Sequence, residues 1–449
     1  MLLFALACEQ PPSRPLPIVP DDTGVVDSAA DSAVDTVDTA PPGPPYAPVL
    51  YGDDAVQSPI TAWVADTLAA IASAGQPDVF MKVGASSTAS SSTLHCFASD
   101  ATTDLGAHTD LADTLAFFRA GDAAGSTPFD RDTEAAVSGM SAGWAISGDP
   151  SPIDEEIAAI DPRLAVVHYG TNDMGLGSTH DSAMPGFYRN MTELLDGLID
   201  DGILPILTGI SPRGDSASAD EWAETYNALI RGLAQARQIP FIDLHLATWD
   251  LDGHGLSGDG LHLESYGGGA CVLTDEGLEH GYNVRNLIVL DALDRVQRVL
   301  DGDDPPDDDL LVLQGGGTFD DPFAIAELPF SDFRDSRDAL QAELDVYTGC
   351  DYDADESGPE WIYAITLADR TAIRAVVLDG EGVDIDLHLL DGTAESDCLL
   401  RSDRTIETTL DPGSYLFALD TYVSGGVEQG GDFLFFVLTC DAGDADCAG

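Results

Sequence analysis

From residue 58 to about residue 300 the chain alternates between two patterns. Asp78-Val-Phe-Met-Lys-Val83, Leu164-Ala-Val-Val-His-Tyr169, Leu204-Pro-Ile-Leu-Thr208 and Pro240-Phe-Ile-Asp-Leu244 are short runs dense in apolar and β-branched residues, the composition of strands. The intervals between them, 187–200 and 220–237 among others, are long enough for helices. This alternation predicts a parallel sheet covered on both faces. Leu287, Leu290, Leu293, Val296 and Leu300 recur at three- and four-residue steps, one face of a helix that closes the region.

Asp301-Gly-Asp-Asp-Pro-Pro-Asp-Asp-Asp309 then interrupts the pattern as a charged, proline-bearing linker. Beyond it come Trp361-Ile-Tyr-Ala-Ile-Thr-Leu367, Ala375-Val-Val-Leu378, Asp386-Leu-His-Leu-Leu390, Tyr415-Leu-Phe-Ala-Leu419 and Phe433-Leu-Phe-Phe-Val-Leu438, with Asp379-Gly380, Asp391-Gly392 and Pro412-Gly413 between them. Short strands separated by turn residues predict an all-β sandwich. The expected organisation is a signal over 1–8, a disordered acidic tether over 9–57, an α/β domain over 58–302, a linker over 303–311, a β-sandwich over 312–442 and a tail over 443–449. The linker's like charges and Pro-Pro pair lead us to expect two energetically separable regions.

Composition narrows the partners. The 449 residues carry 80 Asp plus Glu against 18 Lys plus Arg, a net charge of -62. Such a surface repels nucleic-acid phosphates and anionic membrane faces, and suits a solvated exported protein. No apolar run is long enough to span a membrane. Met1-Leu-Leu-Phe-Ala-Leu-Ala-Cys8 resembles a bacterial lipobox, with Cys8 as the lipidated residue; the plainer reading is a frayed terminus with a chance cysteine. A lipid on Cys8, followed by the tether, implies a cell-envelope or extracellular location. The six other cysteines, Cys96, Cys271, Cys350, Cys398, Cys440 and Cys447, are an even set that predicts disulfides in an exported chain. Cys96 with Cys271 in the α/β region, and the other four within the β region, is the expected division. None has C-x-x-C spacing, and no metal centre is expected from them.

Three stretches carry candidate chemistry. In Gly84-Ala-Ser86-Ser87 the first strand ends on a glycine, so Ser86 can open a helix with its hydroxyl near the positive end of the dipole; a helix cap is the plainer reading, and Ser87 competes. In Gly170-Thr-Asn172-Asp173 the amide of Asn172 can donate to an oxyanion, or the residues can simply form a turn. In Asp259-Gly-Leu-His262 two intervening residues can put a carboxylate beside an imidazole, the pairing that orients a general base; a surface histidine is the alternative. His95, His168, His180, His245, His254 and His280 lack zinc-ligand spacing, and His168 reads as packed. Trp144, Tyr169, Met174 and Trp249 could line a pocket or fill core.

In this order the stretches resemble the sequence blocks of the SGNH (GDSL-like) esterases. Gly84-Ala85-Ser86 stands for the family's Gly-Asp-Ser, Gly170-Thr-Asn172-Asp173 for its Gly-x-Asn-Asp, and Asp259-Gly-Leu-His262 for its Asp-x-x-His. Ser138-Gly-Met-Ser-Ala-Gly143-Trp144 fits the remaining block, which gives a glycine N–H to the oxyanion hole; Gly143 is placed there, with Ala142 or Gly139 as alternatives. The resemblance spans about 76–300. It implies a three-layer α/β/α, flavodoxin-like fold, no metal or organic cofactor, and hydrolysis of a small-molecule or glycan ester. Ser86 would be the nucleophile, His262 and Asp259 its partners, and Ser86, Gly143 and Asn172 the oxyanion donors. Two departures stand out: Ala85 replaces an aspartate that helps set the nucleophile loop, and Ser138 stands where the family often has Asn. The alternative is a non-catalytic cell-surface binding protein on the same scaffold. Ala85 favours it; retention of serine, histidine and aspartate speaks against it.

Ser357-Gly-Pro-Glu360, Val383-Asp384-Ile-Asp386 and Asp411-Pro-Gly413 resemble pre-peptidase C-terminal domains, which implies a non-catalytic accessory module over 312–442. Asp351-Tyr-Asp353-Ala-Asp355 alternates acids as calcium loops do. However, Glu356 stands where an EF-hand has Gly, and Ile362 where it has its bidentate Glu, so Ca2+ on the β-domain competes with an ordinary acidic surface loop.

Overall fold

The computed structural model describes residues 49–72 and 75–440. Cys8, Cys447, most of the tether and the tail lie outside the described residues.

The α/β region holds four parallel strands in sequential order: β1 (Gln76–Gly84), β2 (Pro162–His168), β3 (Leu204–Thr208) and β4 (Phe241–Ile242). All four predicted strands are present. Each ends near the same sheet edge, so the loops that follow them gather there, where open α/β sheets place their sites. The α-helices that follow β1 are α1 (Ser86–Ala89), α2 (Ala112–Ala120), α3 (Ala142–Ala145), α4 (Pro152–Ile160), α5 (His180–Asp200), α6 (Ala217–Arg237), α7 (Leu244–Trp249) and α8 (Gly281–Leu300). Ser216 caps α6 by accepting from Ala219 N, and Thr179 caps α5 through Ser182 N, each satisfying one of the free N–H groups of a helix start. Strand β2 is buried at every position, as a strand covered on both faces must be.

Downstream lie β5 (Phe323–Ile325), β6 (Phe330–Asp335), β7 (Glu360–Leu367), β8 (Thr371–Asp379), β9 (Ile385–Leu390), β10 (Cys398–Ser402), β11 (Thr405–Leu410), β12 (Gly413–Thr421), β13 (Val423–Ser424), β14 (Val427–Glu428) and β15 (Asp432–Thr439). Two sheets, ordered β10-β9-β12-β7-β5 and β11-β8-β15-β6, form the sandwich. Its core draws on Trp361, Tyr363, Phe417, Leu419, Phe433, Phe435 and Val437.

The charged linker does not keep the two regions apart. On β15, Phe433, Phe435 and Val437 enter the sandwich core, while Leu434, Phe436 and Leu438 belong to the core of the α/β region, with Val376 and Leu378 of β8 beside them. Period-two alternation points successive side chains to opposite faces, and here both faces are covered. Helix α6 forms the other side of this contact. It is buried almost without interruption from Trp222 to Gln235, and its polar residues find partners across the boundary. Arg374 Nη1 donates to Thr225 Oγ1 at 2.8 Å, its guanidinium lies over Trp222, and Gln235 Nε2 donates to Ser331 O at 2.6 Å. Arg404 and Thr405 bind Asp181.

The end of the expected tether is also packed. Val49 and Tyr51 are buried; Leu50 N donates to Leu311 O at 2.7 Å, and Tyr51 OH donates to Ile239 O at 3.0 Å. Cys96 is bonded to Cys271 and Cys350 to Cys398, and Cys440 is also in a disulfide. Disulfides of this number fit an oxidising, extracellular or exported setting. No described helix is long and apolar enough to cross a membrane.

Candidate active site

Strand β1 delivers the first group. Gly84 lets its backbone lie against the next elements: a Cβ there would sit 2.4 Å from Thr88 Oγ1 and 2.7 Å from His168 O. The chain then turns through Ala85 into α1, whose first residue is Ser86. Ser86 Oγ lies 2.9 Å from His262 Nε2, and His262 Nδ1 lies 2.8 Å from Asp259 Oδ2.

The Asp259–His262 turn holds itself together. Asp259 Oδ1 accepts from Ser257 Oγ at 2.7 Å and from the backbone N–H groups of Leu261 and His262, both at 3.0 Å. The His262 N–H, the imidazole, the Leu261 N–H and the Ser257 hydroxyl together hold this carboxyl well below the usual carboxylate range. Asp259 is therefore ionised throughout the neutral range. Bonding of Nδ1 to a carboxylate leaves Nε2 as the nitrogen facing Ser86, the tautomer a general base requires.

On the opposite side is the β2 turn. Asp173 is buried and accepts from Gly170 N at 3.1 Å and Ala142 N at 2.9 Å, tying this turn to the start of α3. Burial raises its carboxyl and these backbone donors counter the rise. Asn172 Nδ2 donates to Met140 O at 2.8 Å, which leaves its second amide hydrogen for another acceptor. Ala85, Ser86, Ser87, Gly170 and Asn172 line one small cavity of about 10 Å³, room for about one water molecule. The other side is open: the side chains of His262 and Asp259 are 34% and 52% exposed.

Two glycines stand near this turn. Gly143 is inside α3, with its α-carbon against the side chain of Asn190; neither Gly143 nor Gly139 is among the residues lining this cavity. Gly139 lies closer to the β1 end. It follows residues 135–137, which bind the backbone of Gly84, and precedes Met140, which Asn172 holds. Its φ of +83° and the open space beside its α-carbon suit a residue that turns its N–H outward.

Arg285 is a further residue of the site that no sequence motif marks. It is fully buried on α8 and donates to Ser87 O at 2.6 Å and Thr88 Oγ1 at 3.1 Å, so it pins α1 from beneath. Burial pulls its guanidinium down to about 10. Arg285 thus fixes the turn that carries Ser86 from the α8 side. The only available signal was a basic residue at the start of an amphipathic helix, and that has no meaning until the helix is placed under α1. His168 is packed: it is buried, and burial and Arg285 hold its imidazole well below the ordinary range. Tyr169 and Met174 are core, Trp144 is half-buried against core, and Trp249 is 45% exposed.

Residues 115–268 match the GDSL-like Lipase/Acylhydrolase family. The chain carries a GDSL-like lipase/acylhydrolase domain. The match includes Gly139, Asn172, Asp259 and His262 and begins downstream of Ser86, which hydrogen-bonds to His262. No curated relative matches the chain. Solved structures similar to it include a GDSL-like lipase from Bacteroides thetaiotaomicron (17% identity, 49% of this chain and 89% of that one, TM-score 0.32). An acetyl xylan esterase from Geobacillus stearothermophilus (13%, 49% and 96%, 0.33) and a carbohydrate esterase family 3 protein from Talaromyces cellulolyticus (17%, 48% and 98%, 0.32) are also similar. The GDSL-like domain makes the protein an ester-cleaving hydrolase.

Proposed function

We propose that the GDSL-like domain cleaves short acyl esters, with Ser86 as nucleophile, His262 as general base and acid, and Asp259 holding the imidazole. The observation that carries this reading is the unbroken chain Ser86 Oγ–His262 Nε2–Asp259 at 2.9 and 2.8 Å. Ser86 Oγ attacks the acyl carbon as its proton passes to Nε2, and the tetrahedral oxyanion takes hydrogen bonds from Ser86 N, Gly139 N and Asn172 Nδ2. His262 returns the proton to the leaving alkoxide, and water repeats the sequence to free the acid.

Two expectations follow. Asn172→Ala should lower turnover on a soluble ester on the order of a hundredfold, as loss of one oxyanion donor does, with an unchanged circular dichroism spectrum; undiminished turnover would reduce Asn172 to a turn residue. The small cavity beside Ser86 and the open opposite side favour an acetyl-sized acyl group on a bulky alcohol, such as an acetylated glycan. Activity on p-nitrophenyl esters should then fall on the order of tenfold or more from acetate to octanoate, the scale on which added methylenes that do not fit discriminate. A rising series would place the acyl chain on the open side. We further propose that Cys8 carries a lipid, which the mass of the mature N-terminal peptide tests.

A further inference from the structure

The sandwich contains a second cluster of ionisable groups that takes no part in the ester chemistry. Asp386 and His388 lie two residues apart on β9 and so face the same side of the sheet, and Glu356 approaches them from the segment before β7. The exposures of Glu356, Asp386 and His388 are 0, 2 and 0%, and their potential ligand atoms all lie within 4.8 Å of one another. His388 Nε2 is 4.0 Å from Glu356 Oε1, too far for a hydrogen bond. Neither ring nitrogen of His388 has a hydrogen-bond partner, and the carboxyl of Glu356 has only the like-charged carboxyl of Asp386 beside it. The imidazole is nonetheless held in place, stacked on Tyr347 with an interplanar angle of 8°.

Charge sharpens the problem. Arg401 Nη2 lies 2.6 Å from Asp386 Oδ1, but the same guanidinium is shared with exposed Asp403. Glu360 and Asp420, both buried, add two more carboxyl groups to this part of the sheet, and Asp420 accepts from Tyr347 OH at 2.6 Å. Carboxyl groups thus outnumber the cation that faces them, and a buried charge without compensation is costly. A buried imidazole with both nitrogens idle adds a desolvation penalty that nothing offsets.

We propose that Glu356, Asp386 and His388 hold a divalent transition-metal ion, with zinc the best match to the donor set. Two carboxylates and an imidazole suit zinc, whereas calcium takes oxygen ligands in larger number. Metal–ligand bonds of about 2.0–2.2 Å place two ligands of one ion roughly 3–4 Å apart; Nε2 and Oε1, at 4.0 Å, stand at the upper end of that range, and the other pairs, within 4.8 Å, would draw in slightly on an ion. The ion would fasten the segment before β7 to β9, beside the Cys350–Cys398 disulfide that ties the same segment to β10. Its role is structural, because the cluster is closed to solvent. The competing arrangement needs no metal: Glu356 stays protonated, its carboxyl pushed up to about 10 by burial and by Asp386 beside it.

The full-length protein, purified without chelator, decides between them by elemental analysis, followed by titration of the chelator-stripped protein with Zn2+, Co2+ and Ca2+. We expect about one zinc per chain, a fall in Tm on stripping that Zn2+ restores, and a visible absorption band when Co2+ replaces it. Glu356→Gln, which keeps the shape, and His388→Gln should each weaken zinc binding by tenfold or more and leave p-nitrophenyl acetate turnover unchanged. If His388→Gln does not fold, the cobalt spectrum of Glu356→Gln gives the same readout. A folded protein that neither retains nor binds zinc or cobalt overturns the proposal, as does zinc binding undiminished in the Glu356→Gln variant or a Tm response to calcium alone.

Discussion

Ser86→Ala should reduce hydrolysis of p-nitrophenyl acetate by roughly 10⁴-fold or more, the scale on which loss of a triad nucleophile acts, while the melting temperature hardly changes. The two halves of this expectation have separate causes. The Ser86 hydroxyl is half-buried and is bonded to His262. Removing it creates no core cavity and leaves the base with access to water, so stability should shift by no more than about 0.5 kcal/mol. The rate depends on the hydroxyl entirely, because no other hydroxyl is bonded to Nε2 among the described residues. Ser87 is the natural rival, but its backbone carbonyl is held by Arg285 and by the Thr93 hydroxyl, which fixes the turn so that Ser86 faces the imidazole. Ser87→Ala should keep most of the activity. A serine-reactive fluorophosphonate should label the peptide at Ser86, and a label on Ser87 would sink the assignment.

The parts of the site that could be read in the sequence are local ones. Asp259 and His262 are three residues apart, so one turn brings them together whatever surrounds it, and Gly84-Ala85-Ser86 follows directly on a strand marked by its apolar run. The oxyanion glycine was not decidable in the same way. Gly139 and Gly143 lie four residues apart in a stretch without strong periodicity, and their difference rests on which one the backbone of residues 135–137 delivers beside Gly84. Arg285 lies further still from recognition, since its partners Ser87 and Thr88 are about two hundred residues away along the chain. The buried cluster at Glu356, Asp386 and His388 was hidden by its neighbours. Asp351, Asp353 and Asp355, which carry the calcium-like alternation, are exposed, and the buried acid is the next residue, one that fits no loop pattern.

The isolated fragment 58–302 should fail as a soluble enzyme, contrary to what the charged linker suggests. A linker describes the covalent connection and says nothing about the faces on either side of it. The relevant signal was Phe433-Leu-Phe-Phe-Val-Leu438, an unbroken apolar run where a strand with one solvated face would alternate. Its odd positions fill the sandwich and its even positions cover α6, where a Cβ added at Gly232 would meet the methyl groups of Leu434 at 2.9 and 3.2 Å. Leu434, Phe436, Leu438, Val376 and Leu378 each contribute on the order of 1.5–3 kcal/mol by leaving water, comparable in sum to the whole stability of an ordinary domain. Cutting at residue 302 exposes Trp222 and its neighbours on α6, and cutting at residue 58 also removes the buried Tyr51. Leu434→Ala in the full-length protein separates this effect from gross truncation: it should cost about 2–5 kcal/mol and lower the urea midpoint, with kcat on p-nitrophenyl acetate retained under native conditions. A monomeric, active 58–302 fragment with a full-length melting temperature would show that the two regions touch without supporting each other.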